Sequence, residues 1–179
     1  KNSNLEIDKA FGAAKILGAK SVTVEIYERE EYKNHTKRLS KFGAKHDIYI
    51  GYHAHTQATD TLWNDALNQS KYNTVNLDIG HYIARGQGNT KNSLLKFIKT
   101  NNTRITSMHI KDRENEINGG HNKPFGEGDT PILEVVELIN EKGYDIPLSI
   151  ELEYSIPRRS NAVKEVKKCL NYCRSAIKA

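Results

Sequence analysis

The runs Ile48-Tyr49-Ile50-Gly51-Tyr52-His53, Val75-Asn76-Leu77-Asp78, Ile105-Thr106-Ser107-Met108-His109 and Ile146-Pro147-Leu148-Ser149-Ile150-Glu151 decide the fold of this chain. Each is short and largely apolar, and each ends on a side chain that ionises and can hold a metal. Each reads as a buried strand, followed by a polar turn and then a helical pattern. In a barrel of parallel strands the strand C-termini converge on one mouth, where such folds carry their chemistry. His53, Asp78, His109 and Glu151 are far apart in sequence, yet that arrangement would bring them to one point.

Working outward, Leu5 to Leu17 has the apolar spacing of an amphipathic helix, stopped by Gly18. Ser21 to Ile26 is a β-branched strand, and Glu30 to Phe42 a charged helix closed by Gly43. Further helices are expected from about Thr59 to Gln69, from Asn89 to Thr100, and from Ser160 to Ala176. Thr130-Pro131 looks like an N-cap followed by proline at the first position of a helix running to Gly143. The segment from Arg113 to Asp129 shows no periodicity and reads as a long loop. Strands alternating with helices predict parallel βα units, and the apolar strands predict a sheet covered by helices. Two α/β architectures fit this pattern: an open doubly wound sheet, or the C-terminal part of a (β/α)8 TIM barrel lacking its first βα units. A whole barrel takes about 250 residues, so five units suit this length.

At 179 residues the chain is expected to form one domain over residues 1–179. Its net charge of +5 is spread along the sequence, which fits a solvated surface and argues against a nucleic-acid groove. No apolar run approaches the roughly 20 residues of a membrane span. Cys169 and Cys173 lie four apart on a predicted helix and read as two small packed residues. The chain opens at Lys1 directly on a helical pattern, so a preceding segment is expected to have been removed. Any signal would have gone with it, which leaves the compartment unspecified, with the cytoplasm as the default.

Five motifs now stand in order: Gly51-Tyr52-His53-Ala54-His55, Leu77-Asp78-Ile79-Gly80-His81, Met108-His109-Ile110-Lys111-Asp112, Gly126-Glu127-Gly128 and Ser149-Ile150-Glu151-Leu152-Glu153. Together they resemble the sugar phosphate isomerase/epimerase family, the xylose-isomerase-like TIM barrels. Its relatives include ketose 3-epimerases, inosose dehydratases and, more remotely, the endonuclease IV group. The resemblance spans nearly the whole chain. It implies a divalent metal at the barrel mouth, with ligands that fall on His53, Asp78, His109 and Glu151. Two imidazoles and two carboxylates suit Mn, Zn, Co or Fe, with Mg also compatible. The alternative is that the histidines are hydrogen-bonded strand ends and the acids cap helices.

One position departs from the family. Many members, the ketose epimerases among them, carry glutamate where this chain has His53. That puts the symmetric two-glutamate proton exchange in doubt while leaving the metal site intact. Candidate catalytic groups are therefore Glu151, Glu153 and His53. His55 should share a face with His53 if the strand continues, and His81 follows the turn after Asp78. Both are candidate substrate contacts, or loop histidines bonded to the backbone. Lys111 should point into the mouth and hold an oxyanion or phosphate, with Asp112 orienting it or capping the next helix. Glu127, flanked by glycines that allow close backbone approach, is a candidate substrate contact or a solvated loop residue. No Walker loop and no GxGxxG is present, so nucleotide cofactors are not indicated.

The expected activity is proton transfer next to a carbonyl of a small sugar, through a metal-stabilised enediolate, as in isomerases and epimerases. The alternatives are a keto-sugar or inosose lyase or hydrolase using the same metal site, and an inactive carbohydrate-binding barrel. Missing barrel units would leave strand edges open, and a homo-oligomer is one way of covering them.

Overall fold

The computed structural model describes residues 3–27 and 29–177. Helix α1 (Asn4–Ile16) opens on a capping box, in which Ser3 and Glu6 satisfy each other's backbone N–H groups. It leads into β1 (Ser21–Glu25), α2 (Glu30–His46), β2 (Tyr49–His53), α3 (Asn64–Gln69), β3 (Asn73–Asp78), α4 (Ile79–Arg85) and α5 (Lys91–Asn101). A 3₁₀ turn precedes β4 (Ile105–Ile110), and a small hairpin of β5 (Asp112–Arg113) and β6 (Asn122–Lys123) follows it. The chain then forms α6 (Ile132–Lys142), β7 (Leu148–Ile150) and α7 (Ala162–Ser175).

Strands β1, β2, β3, β4 and β7 form one parallel sheet in that order. This is the expected set of βα units, five strands of a TIM barrel with helices outside them. The hydrophobic core lies between sheet and helices: Ile50, Tyr52, Val75, Leu77, Met108 and Ile110 meet Trp63, Ile83, Leu94, Ile98 and Val135, all buried. The opposite face of the sheet is polar. Thr74 and Thr106 hydroxyls are 3.0 Å apart, and Asn76 Nδ2 donates to Ser107 Oγ at 2.5 Å. Among the described residues only β3 is buried along its whole length, so the expectation that both faces of every strand are covered holds for that strand alone.

Several local expectations are corrected. Gly43 does not end α2, which continues to His46 and stops at Asp47 in the left-handed region. Gly43 is needed for close packing instead: a Cβ there would sit 2.7 Å from Ile50 Cδ1 and 2.8 Å from the Ile48 carbonyl oxygen. The helix expected from Thr59 is a series of turns until Asn64, and the helix expected from Asn89 begins at Lys91, where Thr90 and Ser93 form its cap. Thr130 does not cap α6. Its hydroxyl accepts the Arg113 N–H at 3.0 Å, and Pro131 precedes the first helical residue, Ile132. The segment after β4 carries the β5–β6 hairpin, and α4, directly after Asp78, was not anticipated.

Candidate metal centre and its surroundings

Strand register builds the site. Glu25 is level with His53, His53 with Asn76, Asp78 with His109, and His109 with Ser149. Because side chains alternate along a strand, Asn76 and Asp78 share a face, as do His109 and Lys111. All converge beyond the C-terminal ends of the strands.

Asp78 does two jobs. As the N-cap of α4, its Oδ1 accepts the His81 N–H at 2.8 Å. Its Oδ2 is buried and makes no well-directed hydrogen bond, although Lys111 Nζ lies 3.0 Å away. The capping reading and the ligand reading of this residue therefore concern different oxygens. Burial pushes the Asp78 carboxyl up to about 6, against the pull of Lys111.

Lys111 is the hub of the cluster. It is 2% exposed, with Nζ 2.7 Å from Glu151 Oε2, 2.8 Å from Glu153 Oε2 and 3.0 Å from Asp78 Oδ2. Burial alone would lower its pKa, but the three carboxylates together raise it, so it is an ammonium. Gly80 makes room for it: a Cβ at Gly80 would lie 2.3 Å from Lys111 Cγ and 2.9 Å from its carbonyl oxygen. Glu151 is raised by burial, but Lys111 and His109 outweigh this and hold it below the ordinary glutamate value.

His109 Nδ1 sits 3.1 Å from Glu151 Oε2 and 3.8 Å from Asp78 Oδ2. Ligand atoms about 2.1 Å from one cation can be no more than about 4.2 Å apart, so these separations suit a shared ion. Ligand atoms of His53, Asp78 and His109 lie within 4.8 Å of one another. His53 Nδ1 is 2.8 Å from Asn76 Oδ1, and the Asn76 amide is oriented by its own bond to Ser107. His53 therefore donates from Nδ1 and keeps a lone pair on Nε2, the tautomer that a metal ligand needs. Its pKa is lowered, first by burial, which also keeps it neutral.

His53, His55 and His81 form a second group with the same closeness. It has no anionic member, whereas the first group contains Asp78 and adjoins Glu151. Three carboxylates against one ammonium leave an excess of negative charge that a divalent cation would neutralise. The donor set, the orphaned Asp78 oxygen and this charge all fit a divalent ion at His53, Asp78 and His109, with Glu151 beside it.

The sequence did not point to Glu25, Asn76 or Arg113. Glu25 Oε1 is 2.8 Å from His55 Nδ1, which leaves the Nε2 of that half-exposed histidine free. Only the strand register, which sets Glu25 beside His53, could have signalled it. Arg113 NH1 is 2.5 Å from His81 Nδ1. His81 is held down to about 2 by burial and by the charges of Lys111 and Arg113, so it stays neutral. Asp112 does not orient Lys111. Buried, it accepts the N–H groups of Gly126, Gly128 and Thr130, tying down the loop that follows β6. Gly128 is required by that approach, since a Cβ would fall 2.3 Å from Asp112 Oδ1. Glu127, on the same loop, is exposed and lines a cavity against α7, apart from the cluster.

Comparison with known proteins agrees with the fold. Residues 3–173 match the family model described as xylose isomerase-like TIM barrel. An inosose dehydratase of Mesomycoplasma hyopneumoniae strain J is 25% identical over 177 residues, covering 84% of this chain and 56% of the relative. The chain thus spans about half the length of the curated relatives it matches. Among solved structures, a xylose isomerase domain protein from Planctomyces limnophilus superposes with a TM-score of 0.75 at 19% identity, over 96% of this chain and 63% of that one. D-Psicose 3-epimerase from Clostridium cellulolyticum H10, solved with D-tagatose, gives 0.70 at 12% identity, over 98% and 70%. These two likenesses concern the fold.

Proposed function

The chain belongs to the xylose isomerase-like TIM barrel family, and from that premise we propose that it is a divalent-metal-dependent enzyme acting on a small sugar or keto-polyol. The reaction is movement of a proton at the carbon next to the carbonyl. The observation that carries this reading is the gathering of His53, Asp78 and His109, with Glu151 beside His109 and with Lys111 joining Asp78, Glu151 and Glu153. His53, Asp78, His109 and Glu151 would hold the cation, which when bound supplies Lewis-acid polarisation of the substrate carbonyl.

The chain's own residues would do the rest. Glu153 lies outside the ligand set, about a third exposed and paired with Lys111, so it is the free carboxylate able to take the proton. With three carboxylate oxygens within 3.0 Å of its Nζ, Lys111 is better suited to holding Glu151 and Glu153 in place than to binding a substrate phosphate. His55, held at Nδ1 by Glu25, would be protonated at Nε2 by solvent and deliver that proton to the substrate, while Glu153 gives the one it took back to solvent. Return to carbon gives isomerisation or epimerisation. Delivery to a neighbouring hydroxyl gives loss of water, and one feature favours this second outcome: both candidate base carboxylates are gathered on Lys111, with histidine rather than glutamate at position 53. The inosose dehydratase relatives point the same way.

The test is incubation of the metal-loaded protein with a ketohexose and with an inosose in deuterated water. Deuterium at the α-carbon without water loss supports isomerase or epimerase, and release of water supports the lyase. Glu153→Gln should reduce either signal by about 100-fold or more. If the metal-loaded protein produces neither exchange nor elimination on both probes, the reading is wrong.

A further inference from the structure

The carboxylates at the mouth already share one cation, and it stands where a metal ion would have to go. Lys111 Nζ lies 2.7 Å from Glu151 Oε2 and 3.0 Å from Asp78 Oδ2. These are the same two oxygens that lie 3.1 and 3.8 Å from His109 Nδ1, the separations that suit a shared ion. An ion bonded to Glu151 Oε2 at about 2.1 Å can sit no farther than about 5 Å from Nζ, given the length of that ion pair. A doubly charged ion at that range repels an ammonium, and even with the full screening of water the repulsion amounts to about tenfold in affinity. Screening is weaker here, because Lys111 and Asp78 are both buried.

We propose that a divalent ion binds here by exchange with the Lys111 ammonium, so that this one side chain sets the metal affinity of the site. The proposal rests on the divalent-metal reading of His53, Asp78, His109 and Glu151. Two features favour exchange. Nζ has further partners outside that ligand set, Glu153 Oε2 at 2.8 Å and His81 Nε2 at 3.1 Å, and it can keep both while giving up Glu151 and Asp78. Asp78 Oδ2 is buried and makes no directed hydrogen bond, so its release from Nζ breaks none. Lysine suits this role better than arginine would, because its charge is compact and its four-carbon stem is flexible. With no metal bound, the ammonium offsets the mutual repulsion of three carboxylates and keeps the ligands gathered. With metal bound, it stays against Glu153 and leaves the ligand oxygens to the ion.

The experiment is calorimetric titration of the metal-free protein with zinc, on the parent, Lys111→Met and Lys45→Met. Lys45 is a surface cation paired with Asp8 between α1 and α2, so its variant controls for the loss of one positive charge. Lys111→Met should bind zinc at least about tenfold more tightly than the parent, and Lys45→Met within about twofold of it. A second reading needs no variant. Lys111 is the only buried lysine among the described residues, so in lysine-labelled nitrogen-15 NMR its ammonium is the one that exchanges hydrogens slowly. That signal should shift on saturation with zinc and exchange faster. Equal or weaker zinc binding by Lys111→Met would overturn the inference, as would an ammonium signal that zinc leaves unmoved; a parent that still loads zinc would keep the metal site standing. If neither the parent nor Lys111→Met binds zinc, the metal reading fails and the inference falls with it.

Discussion

Replacing Asp78 with asparagine should stabilise the metal-free protein at neutral pH while destroying its metal site. The Asp78 carboxyl is pushed up to about 6 from its ordinary 3.8 by burial, even with Lys111 beside it. A raised folded-state pKa means that the folded protein holds the proton more tightly than the unfolded chain. The benefit is complete below about pH 4 and is lost as pH rises through about 6. At pH 7 the ionised group costs on the order of 3 kcal/mol. Asparagine copies the neutral acid, and its oxygen can still cap α4 through the His81 N–H. Its amide nitrogen would face Lys111 without an acceptor, which offsets about 1–2 kcal/mol. The net expectation for Asp78→Asn is a gain of about 1–2 kcal/mol at pH 7 and a loss of about 1–2 kcal/mol at pH 4, where the acid is already neutral. Urea unfolding at both pH values in the presence of a chelator measures it. A variant less stable than the parent at pH 7 by the same margin as at pH 4 would refute the claim that the site concentrates uncompensated charge.

Three further outcomes follow from single contacts. Gly80→Ala places a Cβ against the Lys111 backbone and side chain, so stability should fall by about 1–3 kcal/mol, read by urea unfolding. Asp112→Ala leaves the N–H groups of Gly126, Gly128 and Thr130 without their acceptor; hydrogen exchange should accelerate across 126–130, and stability should fall by about 3 kcal/mol. Lys111→Met removes the one cation shared by Asp78, Glu151 and Glu153, for a loss of about 3 kcal/mol at pH 7 in chelator. That deficit should shrink on lowering the pH or adding a divalent cation, as a thermal melt would report.

The strands and their order were legible because β-branched and apolar runs ended in turn residues, and the period of the helices between them was clear. Helix ends were less so. Gly43 has the residue type of a stop signal, but its reason is the closeness of Ile48 and Ile50, a contact between elements that no local pattern encodes. The site divides in the same way. His53, Asp78, His109 and Lys111 could be placed from strand ends and alternation alone. Asn76, Glu25 and Arg113 could not, because their roles depend on which residues the register sets side by side. Lys111 shows the limit most clearly: alternation pointed it into the mouth, but that it sits buried among three carboxylates is a three-dimensional fact.

Metal content tests the central claim most directly. The protein purified with added Mn or Zn and then freed of excess ion should carry one divalent cation per chain by elemental analysis. Asp78→Asn, His109→Ala and Glu151→Ala, each shown to be folded, should lose it. Retention of the full complement in all three variants, or no bound cation in the unmodified protein, would contradict the account.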